Sequence, residues 1–252
     1  MELIVIGAGP AYTDRRGAAA ASFLLRSGDA ALLLDLGQGA FPNLASTIEP
    51  SGLAAVVVTH LHPDHFIDLV PLRHFLRYEF EPSRRVRVLG PTGLADRLDA
   101  LHGHPGFVAA SLDVEPLAAS QRIGPFDLEA RHVHHAEESY ALRVSVADAS
   151  GAASGPGLVY SGDCGRAEDL VPLIRPGDTL LSEASFGAGA VPAGAEHLNA
   201  ADAGRAATAG HAARLLLTHI QIGYSRADAL AAAQSTFAGP VQLVTESDRF
   251  EV

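Results

Sequence analysis

The sequence T-H-L-H-P-D-H occupies residues 59–65 and contains four side chains of the types that bind metal ions in proteins. His60 and His62 alternate, so both can project to the same side of an extended loop. Asp64 and His65 are adjacent at the start of the next predicted helix, point elsewhere, and could hold a second ion. Imidazole suits zinc, iron and other first-row divalent ions, and a carboxylate neutralises part of their charge. A polar loop that is rich in histidine by chance is the weaker interpretation.

Further polar residues follow apolar runs of strand length along the chain. Residues 53–58 are rich in valine and directly precede the histidine segment, which predicts a buried strand. Asp163 follows the strand-like residues 158–161, and His219 follows residues 215–218. Because α/β proteins place their functional sites in loops at strand ends, we include both side chains among the candidate ligands. A turn-forming aspartate and a capping histidine are the plainer alternatives.

The order of predicted strands and helices indicates the fold class. Strands and helices form two β- and α-containing halves with no linker between them, and apolar residues recur at helical spacing over residues 65–80. Residues 200–213 and 227–237 are also predicted helices, and residues 151–157 predict a hairpin tip or loop. We therefore expect a single α/β domain over residues 1–252, with two β-sheets packed face to face and helices outside.

Composition and charge exclude several classes of protein. The net charge is −11 and the chain contains no lysine, which argues against long nucleic-acid partners, since these usually require a basic face. A small phosphodiester stays compatible, because bound metal ions would make a pocket locally positive. The single cysteine, Cys164, excludes an internal disulfide and a cysteine-rich zinc site. No signal-peptide pattern and no apolar stretch of membrane-spanning length is present, so we expect no membrane partner and a cytoplasmic location.

Residues 59–65 resemble the H-x-H-x-D-H signature of the metallo-β-lactamase superfamily, and the chain looks most like its branch of ribonuclease Z-like and small phosphodiesterase enzymes. The resemblance implies an αββα sandwich, in which helices flank two mixed β-sheets. It extends in order over nearly the whole chain, through G-A-G-P (7–10), S-F-L-L (22–25), L-D-L-G-Q-G (34–39), V-R-V-L-G-P-T-G (86–93), H-A-E-E-S-Y-A-L-R (135–143), Y-S-G-D-C (160–164), L-L-S-E-A-S-F (180–186), H-L-N (197–199) and L-T-H-I (217–220).

The resemblance implies a site for two divalent metal ions, zinc first, with manganese or iron as alternatives. From the residues alone, His132, His134 and His135 are all candidates for the third histidine, because they crowd one stretch. The spacing to Arg143 fits the family only for His135. The family pattern then assigns His60, His62 and His135 to one ion, Asp64, His65 and His219 to the other, and Asp163 to both.

The resemblance also implies further roles in catalysis. In the branch that the chain resembles, a pair such as Glu183 and His197 lies near the leaving group, where the histidine donates a proton and the glutamate orients it. A strand-end carboxylate and a surface histidine are the alternative. Asp64 is expected to orient the attacking hydroxide as well as to bind metal. Asp35 is a candidate for holding a ligand imidazole in the required tautomer, and Arg143 either supports the ligand loop or lies on the surface.

Together these features predict a metal-dependent hydrolase that acts on a small phosphodiester, cyclic ones included. Two ions roughly 3.5–4 Å apart would share a water and lower its pKa, and the resulting metal-bound hydroxide would attack phosphorus.

Ribonuclease Z enzymes have a long basic arm between the third-histidine segment and the bridging aspartate. Residues 143–163 leave room only for two strands and a short loop, so pre-tRNA cleavage is a weaker alternative.

Other functions and partners stay open at this point. The same metal centre serves hydrolysis of a lactone, a thioester or a β-lactam, and these are the main enzymatic alternatives. A non-catalytic metal-binding module is disfavoured by the intact ligand set. By analogy with related enzymes, a homodimer is a further expectation, with the apolar helix over residues 66–80 as its contact.

Overall fold

The structure is a computed structural model that describes residues 1–136, 138–147 and 155–252. Residues 151–154 lie outside the described residues, and with them most of the segment for which the sequence predicts a hairpin tip or loop. Within the described part of the chain, fourteen strands form two seven-stranded sheets. No helix among these residues combines the length and the apolar character needed to cross a bilayer.

The first sheet is built mainly from the amino-terminal half of the chain and receives the last strand. Its strands are β1 (Glu2–Gly7), β2 (Ser22–Ser27), β3 (Ala30–Leu34), β4 (Ala55–Val57), β5 (Val86–Gly90), β6 (Leu112–Pro116) and β14 (Arg249–Glu251). They lie in the order β14-β1-β2-β3-β4-β5-β6. Pairing is antiparallel from β14 to β3 and parallel from β3 to β6.

The second sheet comes from the carboxy-terminal half. Its strands are β7 (Ser120–Ile123), β8 (Phe126–His132), β9 (Tyr140–Val146), β10 (Leu158–Tyr160), β11 (Thr179–Glu183), β12 (Arg214–Thr218) and β13 (Val241–Leu243). They lie in the order β13-β12-β11-β10-β9-β8-β7. Pairing is antiparallel from β7 to β10 and parallel from β10 to β13, as in the first sheet.

Helices cover the outer faces of both sheets. They are α1 (Ala40–Thr47), α2 (Pro63–Phe66), α3 (Leu69–Tyr78), α4 (Leu94–His102), α5 (Ala200–Ala209) and α6 (Arg226–Gln234), with short 3-10 turns at Pro50–Gly52, Val108–Ala110 and Ala167–Asp169. The single helix predicted over residues 65–80 is wrong, because α2 and α3 are separate. The backbones of His65 and Asp68 both bond to Leu36, at 2.8 and 3.1 Å, and this tertiary contact divides the helical segment.

Alternating side chains of the strands fill three apolar layers. In β2, Phe23 and Leu25 belong to the core between the sheets, whereas Leu24 belongs to the core under the amino-terminal helices. In β10, Tyr160 lies between the sheets and Val159 lies under α5 and α6. This is the period of two that a strand imposes when both faces are buried. The predicted αββα sandwich of two mixed sheets flanked by helices is confirmed.

The topology brings polar residues from distant parts of the chain to one edge. Because β10, β11 and β12 are parallel, their carboxyl ends meet at the same edge, where Asp163, Glu183 and His219 follow or end them. Strand β9 is antiparallel to β10, so the residues that precede β9, including His135, reach this edge as well. The loop after β4 brings His60 to it from the first sheet. Candidate ligands that lie up to about 160 residues apart in sequence therefore become neighbours.

Arg143 has neither of the two roles that the sequence leaves open. Its side chain is 2% exposed and pairs with the fully buried carboxylate of Asp178, with Nε at 2.8 Å and Nη2 at 2.9 Å. The same carboxylate accepts hydrogen bonds from the backbone N–H groups of Gly157 and Arg175. The pair therefore connects β9 to the segments that precede β10 and β11, and supports the second sheet from within.

We expect Arg143→Met to lower the free energy of unfolding by about 3–5 kcal/mol, because it leaves the Asp178 carboxylate buried without its cationic partner. Arg249→Met is the control, since it breaks the exposed ion pair between Arg249 and Glu2, which is worth about 1 kcal/mol or less. Urea unfolding monitored by circular dichroism measures both. Equal, small losses for the two variants would contradict a stabilising role of the buried pair.

Candidate metal centre

Four of the predicted ligands form a first group. His60, His62, His135 and Asp163 offer ligand atoms that all lie within 4.8 Å of one another. His60 Nε2 lies 3.6 Å and His135 Nε2 lies 3.7 Å from Asp163 Oδ2. The Nδ1 atom of His62 lies 3.1 Å from His135 Nε2. Three imidazoles and one carboxylate oxygen therefore converge, which is the donor set of a divalent transition-metal site.

A second group shares one of these residues. Asp64, His65, Asp163 and His219 also offer ligand atoms within 4.8 Å of one another. His65 Nε2 lies 3.4 Å and His219 Nε2 lies 3.5 Å from Asp163 Oδ1, and His219 Nε2 lies 3.2 Å from Asp64 Oδ2. The two oxygens of Asp163 thus face different groups. The structure brings all seven predicted ligands together in the arrangement that the family resemblance implies.

The positions of His132, His134 and His135 show which of them belongs to the cluster. His135 is buried in the cluster, and its Nδ1 lies 2.7 Å from the carbonyl oxygen of Glu196. His134 is exposed, with Nε2 3.7 Å from the carboxylate of Glu196. The ring of His132 lies against the Tyr140 ring, 4.4 Å between centroids. Of these three histidines, the structure places only His135 at the cluster.

The cluster contains buried polar atoms that make no hydrogen bond. Among the described residues, His60 Nε2, His65 Nε2 and Asp163 Oδ1 are buried and make no hydrogen bond. Leaving such an atom unsatisfied costs about 1–3 kcal/mol, more for a charged group. All three point into the two groups, and a divalent cation is the partner that imidazole and carboxylate atoms share. The residues present therefore fit divalent metal ions.

The pKa directions agree with this interpretation. Burial, with the charge of His65 next, lowers the pKa of His60 well below its usual value, so the imidazole is neutral and has a lone pair for a metal. Burial also acts to lower the pKa of His65, but the carboxylates of Asp163 and Asp35 outweigh it and raise that pKa well above the usual value. Burial opposes ionisation of Asp163, yet His219 and His65 hold its pKa well below its usual range. The buried carboxylate thus attracts positive charge, which bound cations would supply.

Asp35 supports the second ligand group through a hydrogen bond to His65. It follows β3, is fully buried, and has a φ of +57°. Its carboxylate accepts hydrogen bonds from the backbone N–H of Thr59 at 2.7 Å, from His65 Nδ1 at 2.7 Å and from the Tyr160 hydroxyl at 2.9 Å. Because Nδ1 of His65 donates its proton here, Nε2 is left as the metal-binding atom. The sequence identifies Asp35 as a candidate for this role, whereas it gives no role to Tyr160 beyond its place in the Y-S-G-D-C segment.

Glu183 has the corresponding place in the second sheet. It is fully buried and accepts hydrogen bonds from the Cys164 backbone N–H at 2.8 Å, the Ser185 hydroxyl at 2.6 Å and His197 Nδ1 at 2.9 Å. The Ser185 hydroxyl in turn lies 3.0 Å from His219 Nδ1. Glu183 therefore holds His197 directly and His219 through Ser185. Ser185 was missed from the sequence, although its position two residues after a strand-end glutamate is a usable signal.

His197 borders the cluster and is accessible. Its side chain is 23% exposed, and its Nδ1 lies 3.9 Å from Asp163 Oδ2. Burial acts to lower the pKa of His197, but the hydrogen bond and the charge of Glu183 outweigh it and raise the pKa to about 9. Without bound cations the imidazole is therefore protonated at neutral pH. A protonated, partly exposed imidazole beside a metal-binding cluster is placed to donate a proton.

Two glycines permit the close approach of the ligand segments. A Cβ atom at Gly37 would lie 1.9 Å from the carbonyl oxygen of Asp64, so only glycine lets the loop after β3 pack against α2. Gly162 has a φ of +55°, and a Cβ atom there would lie 2.8 Å from the carbonyl oxygen of Tyr140. This left-handed turn directs the chain from the end of β10 to Asp163.

Comparisons with known proteins agree with the fold and show the family of the chain. Residues 32–220 match the model of the beta-lactamase superfamily domain. The chain is 35% identical over 245 residues to the uncharacterized protein ML1173 of Mycobacterium leprae, covering 92% of this chain and 82% of that one. It is 30% identical to the probable metallo-hydrolase YhfI of Bacillus subtilis, covering 80% of each. The crystal structure of YhfI superposes with a TM-score of 0.87 over 100% of this chain and 99% of that chain, at 23% identity. Ribonuclease Z of Salinispora arenicola is 28% identical over 97% of this chain and 94% of its own length.

We expect His219→Ala to lower the metal content by about half, because it removes a ligand of the second group only. Asp163→Ala should remove nearly all of the metal, since its oxygens face both groups. Elemental analysis of the purified variants measures the stoichiometry, and His134→Ala is the matched control, because that histidine lies outside the cluster. Full metal content in Asp163→Ala would contradict the assignment.

We expect the thiol of Cys164 to be inert in the native protein. It is buried, and burial, as the largest cause, raises its pKa to about 12, so the reactive thiolate is scarce at pH 8. Labelling with 5,5′-dithiobis-(2-nitrobenzoate) should therefore be negligible before denaturation and stoichiometric after it. Rapid labelling of the native protein would show that the loop from Asp163 to Arg166 opens.

Proposed function

Because this chain belongs to the beta-lactamase superfamily and is a metal-dependent hydrolase, we propose that it hydrolyses a small phosphodiester at a centre of two divalent metal ions. Zinc is the first candidate, with manganese or iron as alternatives. The two ligand groups that share Asp163 support this proposal, since paired ions stabilise both the attacking and the departing oxygen of an in-line displacement. Bound ions would also lower the pKa of a water molecule and hold the negative charge that develops on the phosphoryl group.

The ligand residues have defined tasks in this proposal. His60, His62 and His135 would bind one ion, and His65, His219 and Asp64 the other, with Asp163 between them. Asp64 also offers a carboxylate oxygen that can accept a hydrogen bond from the attacking water and so orient it. The oxygen of that water forms a bond to phosphorus while one ester P–O bond breaks.

The position of His197 favours a phosphodiester over a thioester as the substrate. An alkoxide is a poor leaving group at neutral pH and needs a proton, whereas a thiolate does not. The hydrogen bond of 2.9 Å from His197 to Glu183 keeps a proton donor beside the cluster. The departing oxygen would take this proton, so that the products are an alcohol and a phosphate monoester. General acid catalysis of this kind contributes roughly 10²–10⁴-fold to the rate.

A substrate panel tests the proposal directly. Zinc-loaded protein is offered bis-p-nitrophenyl phosphate, a set of lactones, an acyl thioester and nitrocefin, and kcat/KM is compared across them. We expect the phosphodiester to be the best of these. Faster turnover of a lactone or of nitrocefin would replace the proposal with acyl hydrolysis at the same centre. Two bound ions without hydrolysis of any panel member would overturn the proposed phosphodiesterase activity.

For a phosphodiester with an alkyl leaving group, which would otherwise depart as an alkoxide, we expect His197→Asn to keep its metal but to lose roughly 10²–10⁴-fold in kcat. The acid form of His197 is required, so wild-type kcat should fall on the alkaline side, with a midpoint at or below about pH 9, because bound cations lower the pKa from the value that Glu183 imposes. In the variant this alkaline limb should be absent. A pH–rate profile together with elemental analysis measures both, and a limb that persists in the variant would reassign the proton donor.

A further inference from the structure

A cleft beside the first ligand group has no role in the chemistry described above. It has a volume of about 500 Å³, and His62 and its neighbour Leu61 form part of its lining together with Arg97, His132 and Glu138. This size lies within the range of small-molecule sites. Since His62 is both a candidate ligand and a wall of the cleft, a molecule bound there would reach the metal centre.

We propose that this cleft holds the ester group that stays attached to phosphorus, and that Arg97 binds a second oxyanion, a carboxylate or a phosphate, on that group. The proposal rests on the phosphodiesterase function proposed above and adds the class of substrate. His197 lies outside the lining of the cleft, with its ring next to those of His135 and Phe186. The group bound in the cleft is therefore distinct from the departing alcohol, which His197 would protonate.

Arg97 is fixed in position but has no anionic partner. It lies on α4 and is exposed, and its Nη1 donates a hydrogen bond of 2.7 Å to the carbonyl oxygen of Leu61. Among the residues that the structure describes, no carboxylate pairs with it. A guanidinium has five N–H donors in a planar fork, which matches the two oxygens of a carboxylate or phosphate. One donor holds the side chain at the cleft wall, and the other four make no hydrogen bond to any residue that the structure describes, so they are available to a ligand.

The acidic residue in the same lining is already engaged. Glu138 Oε1 accepts a hydrogen bond of 2.8 Å from the Tyr140 hydroxyl, and Oε2 accepts one of 3.0 Å from the backbone N–H of Thr92. Both oxygens thus join the loop after β5 to the start of β9. Glu138 therefore has a structural role in the lining of the cleft. The cationic side chain that would contact a bound anion is Arg97.

Several other arginines on the surface of this acidic protein have carboxylate partners. Arg85 pairs with Asp113, and Arg87 pairs with Glu115. An arginine that lines a cleft beside the metal centre without such a partner is therefore a candidate for ligand recognition. The alternative is that Arg97 only holds the loop that contains His62 through the Leu61 carbonyl, and the experiment has to separate these two roles.

Three matched substrates separate oxyanion binding by Arg97 from a purely structural role of this residue. The substrates are p-nitrophenyl 3-carboxypropyl phosphate, its 3-phosphonopropyl counterpart, and p-nitrophenyl 4-hydroxybutyl phosphate, which has a similar chain but no second anion. For zinc-loaded wild type we expect KM for at least one anionic probe to be about 10-fold or more below that for the neutral probe, as a charge-assisted hydrogen bond implies. Comparison of the carboxylate and phosphonate probes shows which oxyanion the site prefers.

In Arg97→Gln, KM for the preferred anionic probe should rise about 10-fold or more, while kcat/KM for the neutral probe stays within about 3-fold. Arg131→Gln is the control, because it removes the same charge from an exposed arginine on β8 that lies outside the lining. Metal content is measured for each variant. Equal losses on all probes, or a loss of metal, would show that Arg97 merely holds the ligand loop and would overturn the proposal.

A binding measurement does not depend on turnover. Isothermal titration calorimetry compares 3-carboxypropyl phosphate and 3-phosphonopropyl phosphate with 4-hydroxybutyl phosphate, the products of the three probes. Tighter binding of an anionic product by wild type, lost in Arg97→Gln, would support the oxyanion site even if no probe were hydrolysed, and in that case only the phosphodiesterase assignment would fail. Equal affinities in wild type would overturn the oxyanion site, whatever the activity.

Discussion

The buried carboxylate of Asp163 needs positive charge on both of its sides, because an uncompensated charge in a protein interior is strongly unfavourable. Its Oδ1 faces His65 and His219 at 3.4 and 3.5 Å, and its Oδ2 faces His60 and His135 at 3.6 and 3.7 Å. One side chain therefore couples two ligand groups. Both groups depend on the turn at Gly162, which brings this carboxylate between the histidines.

Each sheet supplies a second buried carboxylate that orients the ligands. Asp35 at the end of β3 fixes the tautomer of His65, and Glu183 at the end of β11 holds His197 directly and His219 through Ser185. The two carboxylates have equivalent places, since each follows or ends a strand that is paired in parallel within its sheet. Strand ends thus provide both the candidate metal ligands and the carboxylates that orient them.

The sequence allowed much of the fold and of the site to be predicted, and its failures have physical reasons. The order of apolar strands and helices, together with the family resemblance of the histidine segment, predicted the sandwich, and the polar residues of that segment and of the strand ends predicted the candidate ligands. The division of residues 65–80 into two helices depends on backbone bonds to Leu36, and the burial of Arg143 depends on Asp178, 35 residues away. Local patterns contain no information about partners so distant in the chain, so neither feature could be read from them.

By itself, the sequence determined which side chains could bind metal and that His60, Asp163 and His219 would follow strands, because residue type and short apolar runs are local properties. The tertiary structure places His135, which the family pattern assigns, at the cluster, and only the tertiary structure decided that Ser185 and Tyr160 support the cluster and that Arg97 borders a cleft beside His62. The reason is that these roles depend on the register and direction of neighbouring strands, which set which side chains meet at the shared edge of the two sheets.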